Sequence, residues 1–432
     1  MTQVTEKRFL NIRLMPGVLT RHMMAYYLSA VVFIMMATFV PQAQPFILNE
    51  VLKIPQNQQG RVAGDVGTIA EFVIVIMLGL YGAISDKIGR RPIYAVGFLI
   101  IAISVFLQPY ATGYNDYLLY RIIYALGAAA ATGMLATVIA DYAIDKDRGK
   151  ASGLQGISNG LGAIITVFLL LRLPSIFKNS GIDTIVAGQM TYLIAGGISL
   201  ITAVVMWLFL KKGRATASEE EHNLLALIRG GISAAKDPGI ALAYAAAFVS
   251  RGDLAVMGTF STLWISNYAT GSLNMDPTTA LSRAGIIVGV SNMASMLGAP
   301  IIGLICDRVN RVNALIFAVL TAGIGYLSTF LVSDPLGPMM FVSVVLIGLG
   351  EVFGVIASGV LIAQQSPRAN RGTIIGFFSL VGTIGIIIAN KVGGYLFDTW
   401  RPAAPFILFG AFSLVVAMWG VAVRKRVVPP KI

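Results

Sequence analysis

The chain has 432 residues, of which 56% are hydrophobic and only 12% charged, about half the charged share of an average soluble domain. A soluble fold of this size would need a charged surface that 32 basic and 20 acidic residues cannot cover. A single cysteine, Cys306, excludes an internal disulfide, and two histidines form no cluster at metal-ligand spacing, so neither structural zinc nor an oxidised scaffold is expected. The net charge of +12 would suit a nucleic-acid binder. The basic residues, however, fall between apolar runs and form no aromatic-interleaved patch, which points to membrane topology instead.

Twelve apolar runs follow in chain order, at 24–47, 64–85, 92–111, 116–142, 150–171, 190–210, 238–266, 283–306, 312–333, 338–364, 371–397 and 402–423. Each is long enough to cross roughly 30 Å of hydrocarbon as a helix, the form that leaves no backbone group unpaired in lipid. The expected fold is an all-α integral membrane protein with twelve transmembrane helices. The first run reads as span 1 rather than a cleavable signal, since no small-residue cleavage site follows it. Of the 32 Lys and Arg, 23 lie in the two tails and every second loop, six in the remaining loops and three inside spans. That asymmetry places both termini in the cytoplasm of a multi-pass protein of the cell (inner) membrane.

The long stretch from Lys211 to Asp237 divides six spans from six. It gives an N-terminal bundle at 1–210, a cytoplasmic linker at 211–237 and a C-terminal bundle at 238–432. Within the linker, Ser218 and Glu221 have capping-box spacing ahead of Leu224, Leu225, Leu227 and Ile228, which predicts an amphipathic helix. The two bundles are related. Gly82-x-x-x-Asp86-Lys87 after span 2 recurs as Gly303-x-x-x-Asp307-Arg308 after span 8, with Asp307 221 residues beyond Asp86. Arg148-Gly149-x-x-x-Gly153 at span 5 recurs as Arg371-Gly372-x-x-x-Gly376 at span 11, offset by 223. Two motifs at nearly one offset argue for homologous, pseudo-symmetric six-helix halves of like orientation, an arrangement suited to alternating access.

The run Gly82-Ala-Ile-Ser-Asp86-Lys87-Ile-Gly89-Arg90-Arg91 fits G-x-x-x-D-[RK]-x-G-[RK]-[RK] at every fixed position and resembles the signature loop of the major facilitator superfamily. The second copy, Gly303 to Arg311, departs from it, with Asn310 where glycine is expected. The resemblance implies the twelve-helix fold of that superfamily and a conformational latch built from Gly82, Asp86, Lys87, Gly89, Arg90, Arg91, Asp141, Asp307 and Arg308. In it, Asp86 would meet Arg90 and the start of span 11 near Gly372, and Asp141 would receive Arg90 or Arg91. Arg121 in Leu119-Tyr-Arg121-Ile-Ile-Tyr-Ala-Leu-Gly127 is similar to the span 4 motif of drug:proton antiporters in the superfamily. Span 5, Gly153 to Gly162, has the glycine density of the antiporter motif but lacks its Gly-Pro pair.

Six ionisable residues lie at membrane depth, where each costs at least about 2.5–3.5 kcal/mol unless partnered or hydrated. Glu71, Arg121 and Lys391 fall roughly 7–10 Å inside the periplasmic boundary, while Arg251, Asp253 and Glu351 fall near the centres of spans 7 and 10. Three cations and three anions suggest mutual pairing. Arg251 and Asp253 are about 200° apart on a helix and cannot pair with each other. The expectation is that Arg251 pairs with Glu351, leaving Asp253 as an exposed carboxylate that protonates reversibly, because desolvation disfavours a charged carboxyl. Glu71 and Lys391 would form a gate, with Glu71–Arg121 as the alternative pair. All six are candidates for proton coupling or substrate binding. Tyr26, Tyr27, Gln42, Tyr124, Asn159, Trp264, Asn292 and Asn390 are candidate cavity residues.

The function expected is secondary active transport of a small organic or amphipathic solute by alternating access. Protons are the coupling ion, export is slightly favoured by Arg121, and the gradient is the energy source with no cofactor. Proton-coupled uptake of an organic anion, or carriage of a lysolipid or other amphiphile, are the alternatives. A sensor that binds without carrying is a further class. No G-x-x-x-x-G-K-[ST] loop is present, and no catalytic triad can be assembled from His22 and His222, so an enzyme is not expected. The partners are then a small solute, protons and membrane lipid, with no nucleic acid, for a protein taken as a monomer.

Overall fold

A computed structural model describes residues 8–213, 224–367 and 370–427. Among them, twelve helical segments are long and apolar enough to cross a membrane. We label their main helices α1 (Thr20–Gln42), α2 (Gln56–Ile88), α3 (Arg90–Leu107), α4 (Tyr114–Tyr142), α5 (Arg148–Phe168), α6 (Thr184–Phe209), α7 (Pro238–Ser272), α8 (Pro277–Arg308), α9 (Arg311–Ser328), α10 (Pro338–Gln365), α11 (Arg371–Thr399) and α12 (Ala404–Val423). The protein is thus a predominantly helical, multi-pass membrane protein. The helix α1 carries Pro41 inside it and continues through Gln44–Phe46 into a π-type turn, Ile47–Val51. A proline removes a backbone donor, and such a turn is one way of absorbing the mismatch. The helix α2 begins eight residues before its apolar run. Gln56, Asn57, Gln58 and Gln59 are polar yet compatible with a helix, so hydropathy marks the depth of the hydrocarbon and not the helix end.

The chain forms two compact units, Met1–Lys53 with Ile69–Glu219, and Ile54–Thr68 with Glu220–Ile432. The first part of α2 therefore packs with the second unit, whereas the sequence boundary at 210 assigns all of span 2 to the first bundle. In the first unit, α3 packs on α4 and α6, and α1 packs on α5. Lipid tails are as apolar as leucine, so helices in a membrane are held by close backbone approach and polar ties. A Cβ on Gly162 of α5 would meet the Val31 carbonyl oxygen of α1 at 2.3 Å. Ser29 and Tyr94 join α1 to α3 by a 2.8 Å hydroxyl pair. Ahead of α1, a hairpin of β1 (Arg8–Phe9) and β2 (Ile12–Arg13) folds back on the same unit. Arg13 donates from its backbone N and from Nε to Asp147 at the start of α5, and Phe9 stacks on Tyr27 of α1.

In the second unit, α10 packs on α8 and α9, α7 on α11, and α9 on α12. The linker helix, Leu224–Ala234, lies along α11, with Gly231 against Phe377 and Gly230 against Thr373. The expected capping residues of that helix, Ser218 and Glu221, lie outside the described residues, as does His222. Two glycines of α10 allow close approaches to neighbouring helices. A Cβ on Gly348 would meet the Ser291 carbonyl oxygen of α8 at 2.2 Å, and one on Gly350 would meet the Ala322 Cα of α9 at 2.3 Å. By contrast, a Cβ on Gly359 of the same helix would meet nothing within 4 Å. Overpacking costs about 1–3 kcal/mol, while alanine in an open helical position gains about 1 kcal/mol over glycine. Gly350→Ala should therefore lower the thermal midpoint of the purified protein and Gly359→Ala should leave it equal or higher, as read by thermal unfolding in detergent.

Candidate functional site

Among the described residues, each unit holds buried charge that no opposite charge pairs with. In the second unit the buried groups are carboxylates. Asp253 of α7 is 1% exposed and Glu351 of α10 is 5% exposed, and Tyr326 of α9 is fully buried between them. The Tyr326 Oη lies 2.6 Å from the Asp253 carbonyl oxygen and 2.7 Å from Glu351 Oε1. A phenol has one proton and cannot donate to both. The three groups are all satisfied when Glu351 carries a proton and donates to Tyr326, which in turn donates to the Asp253 carbonyl. The Asp253 Oδ1 is buried and has no hydrogen-bond partner, and among the described residues no cation pairs with either carboxylate. Tyr326 escapes sequence reasoning because a tyrosine near the end of an apolar run reads as an interfacial anchor.

This geometry corrects two expectations. Glu351 is partnered by Tyr326 and not by Arg251, and Asp253 is buried instead of exposed. The physical reason is the angular separation of Arg251 and Asp253 on α7. Arg251 turns toward α11, where its Cγ would lie 2.8 Å from a Cβ on Gly382. Asp253 turns toward α9 and α10.

A third correction concerns Lys391. It pairs with Asp65, Nζ to Oδ1 at 2.6 Å, and not with Glu71. Asp65 sits in the part of α2 that belongs to the second unit, and sequence reading passes over it because the predicted span starts only one residue earlier. The same stretch of α2 is clasped by α11 at three further points. Asp398 accepts from the backbone N of Gly60 at 2.8 Å and of Arg61 at 2.7 Å. A Cβ on Gly64 would meet the Asn390 carbonyl oxygen at 2.2 Å, and one on Gly394 would meet the Gly60 carbonyl oxygen at 2.3 Å. Asn390 is buried and its Oδ1 accepts from the Thr259 hydroxyl of α7.

In the first unit the buried group is a cation. Arg121 of α4 is 6% exposed, and its Nε and Nη1 have no hydrogen-bond partner. Among the described residues no carboxylate pairs with it, so the alternative Glu71–Arg121 pair is not formed either. Its Cζ lies 5.8 Å from the centroid of the Tyr124 ring, near the outer limit of a cation–π contact. Tyr124, Gln42 and Asn159 each have a buried polar atom without a partner, as do Tyr192 and Gln108. An unsatisfied buried polar group costs about 1–3 kcal/mol, so this number of them in one unit calls for an explanation.

Of the other candidate cavity residues, Tyr26 and Tyr27 are tied into the first bundle. The Tyr26 hydroxyl is 2.8 Å from the Leu135 carbonyl and 2.8 Å from Gln155 Oε1, joining α1, α4 and α5. Tyr27 donates to the Ala151 carbonyl. Trp264 packs on Phe406 and lines a cavity of about 350 Å³ with Tyr268, Trp400 and Arg401 at one end of the second unit. Asn292 on α8 has an unpaired side-chain nitrogen.

Comparison with known proteins gives this geometry its family. The sequence profile of the Major Facilitator Superfamily matches residues 25–335 and 243–432. The chain belongs to that superfamily. It is 26% identical over 417 residues to the magnetosome protein MamH of Paramagnetospirillum magneticum, covering 94% of this chain and 93% of that one. It is also 26% identical over 414 residues to MamZ of the same organism, where it covers 91% of this chain but spans only 61% of the relative's length. Among solved structures, the nucleoside transporter NupG superposes with a TM-score of 0.73 at 17% identity, over 93% of this chain and 99% of that one. A bacterial homologue of the lysosomal transporter Spinster, in an inward-facing and unoccupied conformation, gives 0.69 at 16% identity, over 96% of this chain and 100% of that one. These solved structures show a shared fold, and the family and fold neighbours are transporters and not enzymes.

The signature loop of the superfamily is ordered by ion pairs in its first copy. Arg90 donates from Nη1 to Asp86 at 2.6 Å and from Nε to Asp141 at 3.0 Å, tying the ends of α2 and α4, and also reaches the Ser85 hydroxyl. Arg91 lies over the Trp207 ring of α6, at 4.8 Å. Gly89, with φ of 98°, makes the turn into α3, and a Cβ there would meet the Gly213 carbonyl oxygen at 2.5 Å. Lys87 is exposed, and a Cβ on Gly82 would meet nothing within 4 Å. The second copy is built differently. Asn310 caps α9 by accepting from the Val312 backbone N at 2.9 Å, and Asp307 and Arg308 are exposed with no ion pair among the described residues.

The Asp65–Lys391 pair, with side chains 38% and 62% exposed, is of the kind worth about 0.2–1 kcal/mol. It can be broken and remade without a large barrier. Asp65→Lys and Lys391→Asp should each slow solute flux by up to several-fold in proteoliposomes, and the double exchange should recover most of the loss. A Glu71→Lys, Lys391→Glu exchange should give no such recovery.

Proposed function

We propose that this superfamily member is a proton-coupled secondary active transporter of a small organic solute, working by alternating access. The observation that carries this reading is the buried Asp253–Tyr326–Glu351 group of the second unit. Two carboxylates without a cation, deep in a membrane bundle, are tolerated when a proton neutralises them, and a group that must hold a proton in one state and release it in another couples the gradient to conformation. Tyr326 ties the Glu351 carboxyl to the backbone carbonyl of Asp253, so both carboxyls belong to one buried group. A purely structural polar tie would not leave Asp253 Oδ1 without a partner.

Two further elements support a cycling carrier. The clasp of α11 on the first part of α2 combines exposed ion pairing at Asp65–Lys391 with close glycine contacts, so it can hold one end shut while costing little to open. At the ends that carry the signature loop, Arg90 with Asp86 and Asp141 forms a latch whose state biases the conformational equilibrium. The excess of basic residues in these loops supports a cytoplasmic location for that face and for both termini, in a protein of the cell membrane.

Asp253→Asn and Glu351→Gln should each reduce flux driven by an imposed pH gradient by at least tenfold in proteoliposomes while sparing solute exchange at equal pH. Substrate-induced acidification or alkalinisation of the lumen in the same vesicles separates symport from antiport. Loss of exchange together with driven flux in correctly folded variants, or driven flux unaffected in both, contradicts proton coupling through this group.

A further inference from the structure

Tyr117, Arg121 and Tyr124 lie at i, i+4 and i+7 on α4, one stripe of that helix. All three are more than nine-tenths buried, as is Tyr192 of α6, whose ring meets Phe39 of α1 at 4.9 Å. The hydroxyls of Tyr117 and Tyr192 are within electrostatic reach of the guanidinium. Tyr117 is the hydroxyl within hydrogen-bonding reach of Arg121, whereas the hydroxyls of Tyr124 and Tyr192 have no partner, nor do Nε and Nη1 of Arg121. Arginine does not shed its proton in proteins, so a proton cannot neutralise this site as it can a carboxylate. Among the described residues the first unit buries one acidic side chain, Asp147, and that is held by Arg13 and Lys150 at the start of α5. With no carboxylate paired to it among the described residues, Arg121 is suited to a counter-charge that a ligand brings.

We propose that Arg121, with the hydroxyls of Tyr117, Tyr124 and Tyr192, is the receptor for an oxyanion group, a carboxylate or a phosphate, on the solute that this protein carries. A planar guanidinium with free N–H groups matches an oxyanion in a forked, two-bond contact, and the surrounding hydroxyls donate to the remaining lone pairs. The proposal rests on the transport reading above and adds to it the chemical class of the solute. Sequence reasoning placed anion attraction on Arg251 and Lys391. Lys391 is already paired with Asp65, whereas Arg121 has two buried donors without a partner.

The test is thermal unfolding of the purified protein at constant pH and ionic strength. The probes are succinate, lactate and inorganic phosphate, with chloride as the reference and succinamide and lactamide as neutral counterparts. At least one anion should stabilise the wild-type protein where chloride and the amides do not, and the carboxylate and phosphate arms identify which oxyanion is bound. The apparent affinity should fall tenfold or more in Arg121→Gln, recover in part in Arg121→Lys, and fall several-fold in Tyr192→Phe. Amides that stabilise as well as the acids, no stabilisation by any of the anions, or unchanged affinity in Arg121→Gln would overturn the proposal. The comparison of acid with amide is made on the wild type and stands even if a variant does not fold. Binding is read without a gradient, so an anion response with no pH-driven flux would contradict proton coupling and leave the receptor standing.

Discussion

An ionised side chain at membrane depth must have an opposite charge, a proton or water, because insertion alone costs at least about 2.5–3.5 kcal/mol. The two units meet this constraint differently. In the second, Asp253 and Glu351 are buried around Tyr326 with no cation, a combination that a proton resolves. In the first, Arg121 is buried with no anion, a combination that a proton cannot resolve. A carrier needs two things that come and go during its cycle, a coupling ion and a solute. The proposed roles divide along the same line, the proton at the carboxylates and the solute at the guanidinium.

The groups that hold the bundles together sit elsewhere and have a different character. Tyr26, Ser29, Tyr27 and Asn390 all direct polar atoms at backbone or side-chain partners on neighbouring helices. Gly162, Gly348 and Gly350 bring helix backbones into contact that any side chain would block. The clasp of α11 on α2 and the Arg90 bridge lie between these extremes, made of ion pairs that are exposed at Asp65–Lys391 and half-buried at Arg90. The ties between helices are thus buried and satisfied, whereas the proposed functional groups are buried with polar atoms left unpaired, at Asp253 and at Arg121.

How much of this was legible in the sequence follows from what one-dimensional information encodes. Twelve apolar runs and the Gly82–Arg91 loop identified the fold, because lipid dictates helix length and the loop's glycine and charge spacing is specific. Depth was also legible, which is why Arg121, Asp253 and Glu351 stood out. Partners were not. Pairing depends on which way a residue faces and which helix lies opposite, so Arg251 was assigned to Glu351 although it turns toward Gly382. Asp65 escapes the reading because it sits at the very edge of the apolar run 64–85, and Tyr326 because nothing in an apolar run tells a buried phenol from an interfacial one. The second copy of the loop illustrates the reverse. The departure at Asn310 was visible, and it marks a real change from a glycine turn to an asparagine cap.

The most direct test of the proposed division of roles is difference infrared spectroscopy of the purified protein across neutral pH, following the carbonyl stretch of a protonated carboxylic acid. If the Asp253–Tyr326–Glu351 group holds a proton in the membrane interior, the band is present at neutral pH, is lost on raising the pH, and is diminished in Glu351→Gln or Asp253→Asn. A wild-type spectrum with no such band, or a band unchanged in both variants, would mean that these carboxylates are not the site where the proton resides.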